Sequence, residues 1–388
     1  MSRETKNGTK SFLLALVLAG LGVAGFSLGL IRDTRHALLA WTSAYAFGLW
    51  TALGAMVLVM VLYVTGARWW LLVAPLLRAM IGTIPLFALL FLPIAIGAGR
   101  LYPWANEPEG LSPVMAEALE HQRSWNQPTF FYVRSAIYLV VWVVMSIVLR
   151  RAETDESPEG QARLRAIGGA SLPILALTMT FASFDWLMAL EPGWSSTMYG
   201  VYVFASGFLG ALSLLAVLAW AADRRGHLDA TLAPDHTHAV GRLMLMAVIL
   251  WAYVGFFQFM LIWIADLPRE VSFFTSRAHG PFGAIDALLL FGRFVLPFLA
   301  LLSRSAKRHP LSLAVLAGWL VLMTALDFAW LGIGAIDPHL TILDLAPFLV
   351  VGAISFAYGA HRFGAERRVI PTASTQAELR ESLRYRSP

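Results

Sequence analysis

Apolar positions along this chain gather into long unbroken runs instead of alternating with polar ones. A helix needs roughly 20 apolar residues to cross about 30 Å of hydrocarbon. Ten runs of that kind occur, at Phe12–Ile31, Leu39–Thr65, Leu71–Gly97, Phe130–Leu149, Ile167–Leu190, Met198–Trp220, Leu243–Ala265, Ala284–Leu302, Leu311–Gly334 and Ile342–His361. The pattern predicts an all-α polytopic membrane protein with about ten transmembrane helices. The third run carries Pro75, Pro85 and Pro93, which remove backbone donors and predict a kinked span. The first run has too long an apolar core for a signal peptide and no small-residue cleavage site after it, so it reads as a retained helix.

Four polar stretches interrupt the runs. Residues 99–129 contain an expected interfacial helix opened by Ser112 and Pro113. Residues 150–165 form a mixed-charge connector, residues 223–242 hold three histidines, and the basic tail offers Thr375 and Glu378 as a capping box. The expected organisation is a peripheral first helix (1–38), a four-helix bundle (39–197), a second four-helix bundle (198–340), a peripheral tenth helix (341–363) and a tail (364–388).

Composition agrees with a lipid setting. Of 388 residues only 14% are charged and mean hydropathy is +0.67, against roughly 25% charged residues in soluble domains. Cysteine is absent, which excludes disulfides, cysteine-ligated iron–sulfur clusters and thioether-attached haem from this chain. No histidine lies mid-span, so a haem held between helices is not expected. His227, His236 and His238 read as solvated loop residues and not as a metal site. Neither a phosphate-binding glycine loop nor a zincin motif occurs.

Basic residues set the expected orientation, because Lys and Arg are retained on the cytoplasmic side. The amino terminus, the loops after spans 2, 4, 6 and 8, and the carboxyl terminus hold 20 of the 29, the alternate loops hold six, and Arg78, Arg134 and Arg293 fall within spans. Both termini are therefore expected in the cytoplasm. The net charge of +5 suits anionic lipid headgroups and calls for no nucleic acid.

Charges inside spans cost a few kcal/mol each, roughly, and so mark candidate sites. Asp185, Asp327, Asp286 and Arg293 are expected toward the extracytoplasmic half, with Arg134 at the start of span 4. Glu191, Asp266, Asp344, His279 and His339 are expected along the rim. Arg78 stands on the cytoplasmic side, where a buried, paired role is favoured. For Arg134 the favoured reading is snorkelling to the headgroups. A weak repeat sets Arg134 and Asp185 (ASFDWL) beside Arg293 and Asp327 (TALDFAWL), as two consecutive four-helix units would. The carboxylates read either as a proton path or as structural ion pairs.

Two segments carry a family resemblance. One is FDWLMALEPGWSSTMYGVY, from Phe184 to Tyr202. The other is WAYVGFFQFMLIWIADLPRE, from Trp251 to Glu270. Together with the ten-span plan they resemble the ActF-type, polysulfide-reductase or NrfD-like membrane subunit of bacterial alternative complex III, a quinol:cytochrome c oxidoreductase. The resemblance implies that Asp185, Trp186, Glu191, Pro192, Trp194 and Tyr199 belong to one family motif, and Gln258, Trp263, Asp266 and Pro268 to the other. The family more often carries Asn at the position of Asp266 and an acidic residue at Arg269. It further implies no cofactor in this chain, haem c and iron–sulfur clusters in partner subunits, a sister polysulfide-reductase-like membrane subunit, and a scaffold, proton-conduit or quinol-site role in the bacterial inner membrane. No residue is expected to be catalytic by itself. The alternative from the residues is a free-standing secondary transporter with intramembrane Asp/Arg pairs.

Overall fold

The computed structural model describes residues 3–105, 119–120, 122–153, 157–191, 193–335, 339–366 and 379–386. Among them ten helices are long and apolar enough to cross a membrane, and no strand occurs. The protein is an all-α polytopic membrane protein. Its spans are α1 (Arg3–Arg32), α2 (Thr34–Val64), α3 (Trp69–Leu90, continued by Leu92–Leu101), α4 (Pro128–Ala152), α5 (Pro158–Trp186), α6 (Tyr199–Arg224), α7 (Pro234–Ala265), α8 (Gly280–Leu302), α9 (Pro310–Gly332) and α10 (Leu345–Glu366). Ten crossings return the chain to the face on which it starts, so the membrane has a termini face and an opposite face.

Proline placement decides several boundaries. α4, α5, α7 and α9 each begin with proline, whose fixed φ suits a first turn that needs no N–H donor. At α5 the Ser157 hydroxyl also accepts from the Gly160 N–H at 3.0 Å, so the helix starts well before Ile167 and the expected charged connector shortens. α7 likewise starts at Pro234 and takes His236 and His238 into the helix, where both are buried. The expectation of solvated loop histidines is corrected for these two. α3 is a broken span and not a merely kinked one. Segments Ala74–Ile81, Ile84–Leu90 and Leu92–Leu101 restart at Pro75, Pro85 and Pro93, and Thr83 donates to the Met80 carbonyl at 2.6 Å where the ladder is interrupted. The helix expected at Ser112 and the capping box of Thr375 and Glu378 lie outside the described residues.

α2 and α6 are the most enclosed spans. They cross where a Cβ on Gly54 would meet the Gly207 carbonyl at 2.9 Å, and one on Gly207 would meet the Trp50 carbonyl at 2.7 Å. Lipid gives no hydrophobic drive for helix association, so backbone approach over small residues supplies the packing. α2 also contacts α3, α5, α9 and α10; α6 contacts α5, α7 and α9; α4 lies on α5, and α8 on α7 and α9. α2 and α6 thus form the seam around which α3, α5, α7, α9 and α10 pack. α1 runs along α10 at the periphery, with Gly22 admitting Val350. On the termini face Ser382 of the tail donates to the Trp69 carbonyl at 3.0 Å, and the His236 Nε2 lies 3.1 Å from the Ser382 carbonyl.

The seam predicts that Gly207→Ala, which would press on Trp50 backbone, destabilises the protein by about 1–3 kcal/mol. Thermal unfolding in detergent should show a lowered midpoint for it and none for Gly352→Ala, where nothing lies within 4 Å.

Candidate functional site

Arg134 on α4 and Asp185 on α5 form a bidentate pair, with Nε 2.8 Å from Oδ2 and Nη2 2.8 Å from Oδ1. The Tyr138 hydroxyl donates to Oδ2 at 2.9 Å and the Trp125 indole to Oδ1 at 2.8 Å. Arg134 also donates to the Trp125 carbonyl at 3.0 Å, and its guanidinium carbon lies 4.1 Å from the Trp125 and Phe130 ring centres. The residue is only 6% exposed, so the snorkelling expectation is corrected. Without Asp185 in reach, a side chain starting near a helix end would turn to the headgroups; a carboxylate aligned for two hydrogen bonds holds it inside instead. The following residue, Trp186, donates to the Ser135 hydroxyl at 2.9 Å and anchors the same turn of α4.

α8 and α9 carry an equivalent centre. Arg293 on α8 pairs with Asp327 on α9, and both are fully buried. The Tyr202 and Ser206 hydroxyls, one turn apart on α6, donate to the two carboxylate oxygens at 2.6 Å each. Arg293 in turn donates to the Ser206 hydroxyl at 2.8 Å and stands 4.4 Å from the Trp251 ring centre. A π-helical segment, Leu289–Val295, carries Arg293. Its Gly292 carbonyl accepts from the Trp319 indole at 2.6 Å.

The two centres match in position but not in every donor. Tyr138 reaches Asp185 from the helix that also carries the arginine, whereas Tyr202 reaches Asp327 from α6. The α2 counterpart of Tyr202 is Tyr45 (AYAFG against VYVFA), whose buried hydroxyl has no partner among the described residues. Trp50 lies between the centres, 5.9 Å from Trp186 and 6.4 Å from Phe328, the residues following the two aspartates. Sequence reading missed Tyr138 and Tyr202. For Tyr138 the signal was present, as its i, i+4 spacing from Arg134 sets both on one helix face.

A third centre forms on the opposite face. Glu191 pairs with Arg277 at the end of a short helix, Pro268–Arg277. Arg277 is fully buried, donates to the Phe273 carbonyl at 2.8 Å and lies 4.0 Å from the Phe273 ring centre. Trp194 stacks on Phe273 at 4.0 Å and meets Tyr199 edge-on at 5.6 Å, while Arg269 donates to the Gly193 carbonyl. Burial outweighs Arg277 and holds the Glu191 carboxyl above its ordinary pKa. The corner after α5 and the segment after α7 therefore meet in one platform. Nothing in the sequence distinguished Arg277 from other loop arginines.

The remaining candidates do not converge. Asp286 is half-buried near Arg277 and Trp330. Pro268 begins the short helix, and Asp266 is its exposed left-handed neighbour at φ 49°. Trp263 is 70% exposed, and Gln258 is buried with Oε1 unpartnered among the described residues. Pro192 lies outside the described residues. On the rim Asp344 pairs with His36 at 2.8 Å, and His339 stacks on that imidazole at 4.1 Å. On the termini face Arg78 is not alone: its Nε lies 2.9 Å from Glu153, which also accepts from the Tyr63 hydroxyl at 2.8 Å. Burial raises the Glu153 carboxyl above its ordinary 4.5 despite Arg78. Among the described residues no group of three or more histidines and carboxylates could hold a metal ion.

A cavity of about 1560 Å³ lies among α1, α10, α2, α3 and α6. Its walls are mainly apolar, and Thr51, Thr83, Arg225, His227 and Ser355 supply polar points. Comparison with models of protein families gives no match, and comparison with curated proteins gives none.

Asp327→Asn should leave Arg293 buried without its anion and cost about 3–5 kcal/mol, with much of that recovered when Arg293→Met and Asp327→Leu are combined; thermal unfolding of the two variants and the parent protein checks the order. The raised Glu153 pKa means that the folded state holds a proton more tightly than the unfolded chain. Stability should therefore fall as pH rises from 4.5 through the folded-state value. Unfolding across acidic to neutral pH should show that slope flattened in Glu153→Gln.

Proposed function

We propose that this chain is a non-redox integral subunit of a membrane quinol:acceptor oxidoreductase of the alternative complex III type. In this reading it lies in the bacterial cytoplasmic membrane with both termini in the cytoplasm, as the 20-to-6 division of basic residues favours. The observation that carries the proposal is the platform in which Glu191 meets Arg277 and Trp194 meets Phe273. The two segments that resemble the ActF-type subunit meet beside it, where Arg269 donates to the Gly193 carbonyl and Tyr202 lies 5.9 Å from the Trp251 ring centre, while Phe273 and Arg277 follow the second segment; this is the face where extracytoplasmic electron carriers would dock. The chain has no cysteine, so haem c and iron–sulfur centres belong to partners. The exposed apolar face of α7, with Phe256 and Trp263, suits lipid or a sister polysulfide-reductase-like subunit.

The chemistry of the intramembrane centres favours a scaffold role. Asp185 accepts four hydrogen bonds, two of them from Arg134. A carboxylate whose oxygens are all engaged in this way ties α4 to α5 as a structural joint. The apolar cavity of about 1560 Å³ is long enough in volume for a quinol tail, with Thr51, Thr83 or Ser355 as hydroxyl partners.

A second reading, a secondary transporter, draws on the matched Arg134–Asp185 and Arg293–Asp327 centres in repeated units. Purification in mild detergent separates the two. Under the proposal, haem-containing and iron–sulfur proteins accompany the chain, and it shows no substrate-dependent proton flux when reconstituted alone. A stable colourless single protein that drives such flux would overturn it.

A further inference from the structure

A second cavity, of about 400 Å³, opens on the termini face between α3, α4 and α10. Its rim carries Arg78, Arg150, Arg151 and Arg362, while Ile81, Pro85 and Ile147 line it toward the membrane. Ile147 is 41% exposed, so the slot has a side open to lipid. Among the described residues Glu153 pairs with Arg78 at 2.9 Å, and Glu366 with Arg150 at 2.7 Å. The rim thus brings guanidinium groups of α3, α4 and α10 together.

Arg362 is the distinctive member. Its Nε is buried without a partner among the described residues, and it sits where a Cβ on Gly82 would come within 2.9 Å of it. The break in α3 at Gly82 therefore makes room for this guanidinium at the slot's wall. An unpaired buried donor on a cation is costly unless an anion completes it. Guanidinium forks match phosphate oxygens in geometry, and basic pockets between spans lie at the level of lipid phosphates.

We propose that this slot is a binding site for a phosphate group supplied by an anionic phospholipid, with the phosphodiester against Arg362 and Arg150 and an acyl chain along Ile81, Pro85 and Ile147. The site holds whether or not the chain belongs to a quinol-oxidising complex, since it uses only residues of this chain and the bilayer.

Native mass spectrometry of the full-length protein in detergent, titrated with phosphatidylglycerol, phosphatidylcholine or inorganic phosphate, tests it. One phosphatidylglycerol should be retained in preference to phosphatidylcholine. Arg362→Gln should weaken retention roughly tenfold or more, as loss of a charged hydrogen bond implies, while Arg163→Gln on the exposed surface of the same face leaves it unchanged. If Arg362→Gln does not fold, Arg362→Lys, which keeps the charge and loses the fork, should still weaken retention. Equal retention of both lipids, equal effects of the Arg362 and Arg163 variants, or displacement of phosphatidylglycerol by millimolar inorganic phosphate would overturn the assignment.

Discussion

The structure depends on the cost of leaving a charge or a backbone donor unpaired where water is absent. In hydrocarbon that cost is several kcal/mol, roughly, for each unsatisfied group. Arg293 and Asp327 are both fully buried, and neither is tolerable there without the other. Their pairing draws α8 and α9 together, and the Tyr202 and Ser206 hydroxyls bring α6 into the same centre. Arg134 and Asp185 do the same for α4 and α5. One ion pair thus keys α4 to α5 and another keys α8 to α9, and each key fixes which helix faces turn inward.

Packing at the α2–α6 seam follows a different rule. Charges would be expensive at the seam, and it contains none of the keyed pairs. Gly54 and Gly207 let the α2 and α6 backbones approach, and Trp50 fills the space between the two centres. The same economy explains the broken α3. Its three prolines would leave carbonyls unserved in a continuous helix, so the chain restarts at each one and Thr83 satisfies a freed acceptor. The break at Gly82 then gives Arg362 its place beside α3, so a backbone necessity becomes part of a basic slot.

Much of the candidate site was legible from residue type and depth. The weak repeat marked Arg134 and Asp185 as counterparts of Arg293 and Asp327, and the structure pairs Arg134 with Asp185 and Arg293 with Asp327. A charge deep in a span has few places to go, which is why so little information sufficed. Where water was within reach, the reading failed. Arg134 at a helix start had headgroups as an alternative, and only the position of Asp185 decides that it turns inward. Arg277, in a polar segment, gave no sign that Phe273, Trp330 and Glu191 would enclose it. His236 looked solvated because Pro234 was not read as a helix start, and the tail that covers it is distant in sequence.

By itself the sequence determined the all-α class and the ten crossings, because span length and apolarity are imposed by the bilayer residue by residue and need no knowledge of neighbours. It also determined that charges within spans would seek partners. Tertiary structure alone decided which donors complete each carboxylate, why Tyr202 reaches its aspartate while Tyr45 does not bond in kind, and how the corner after α5 meets the segment after α7. Those outcomes turn on helix rotation and on approach within a few ångströms. Both are set by many contacts distant along the chain, and no local run of residues encodes them.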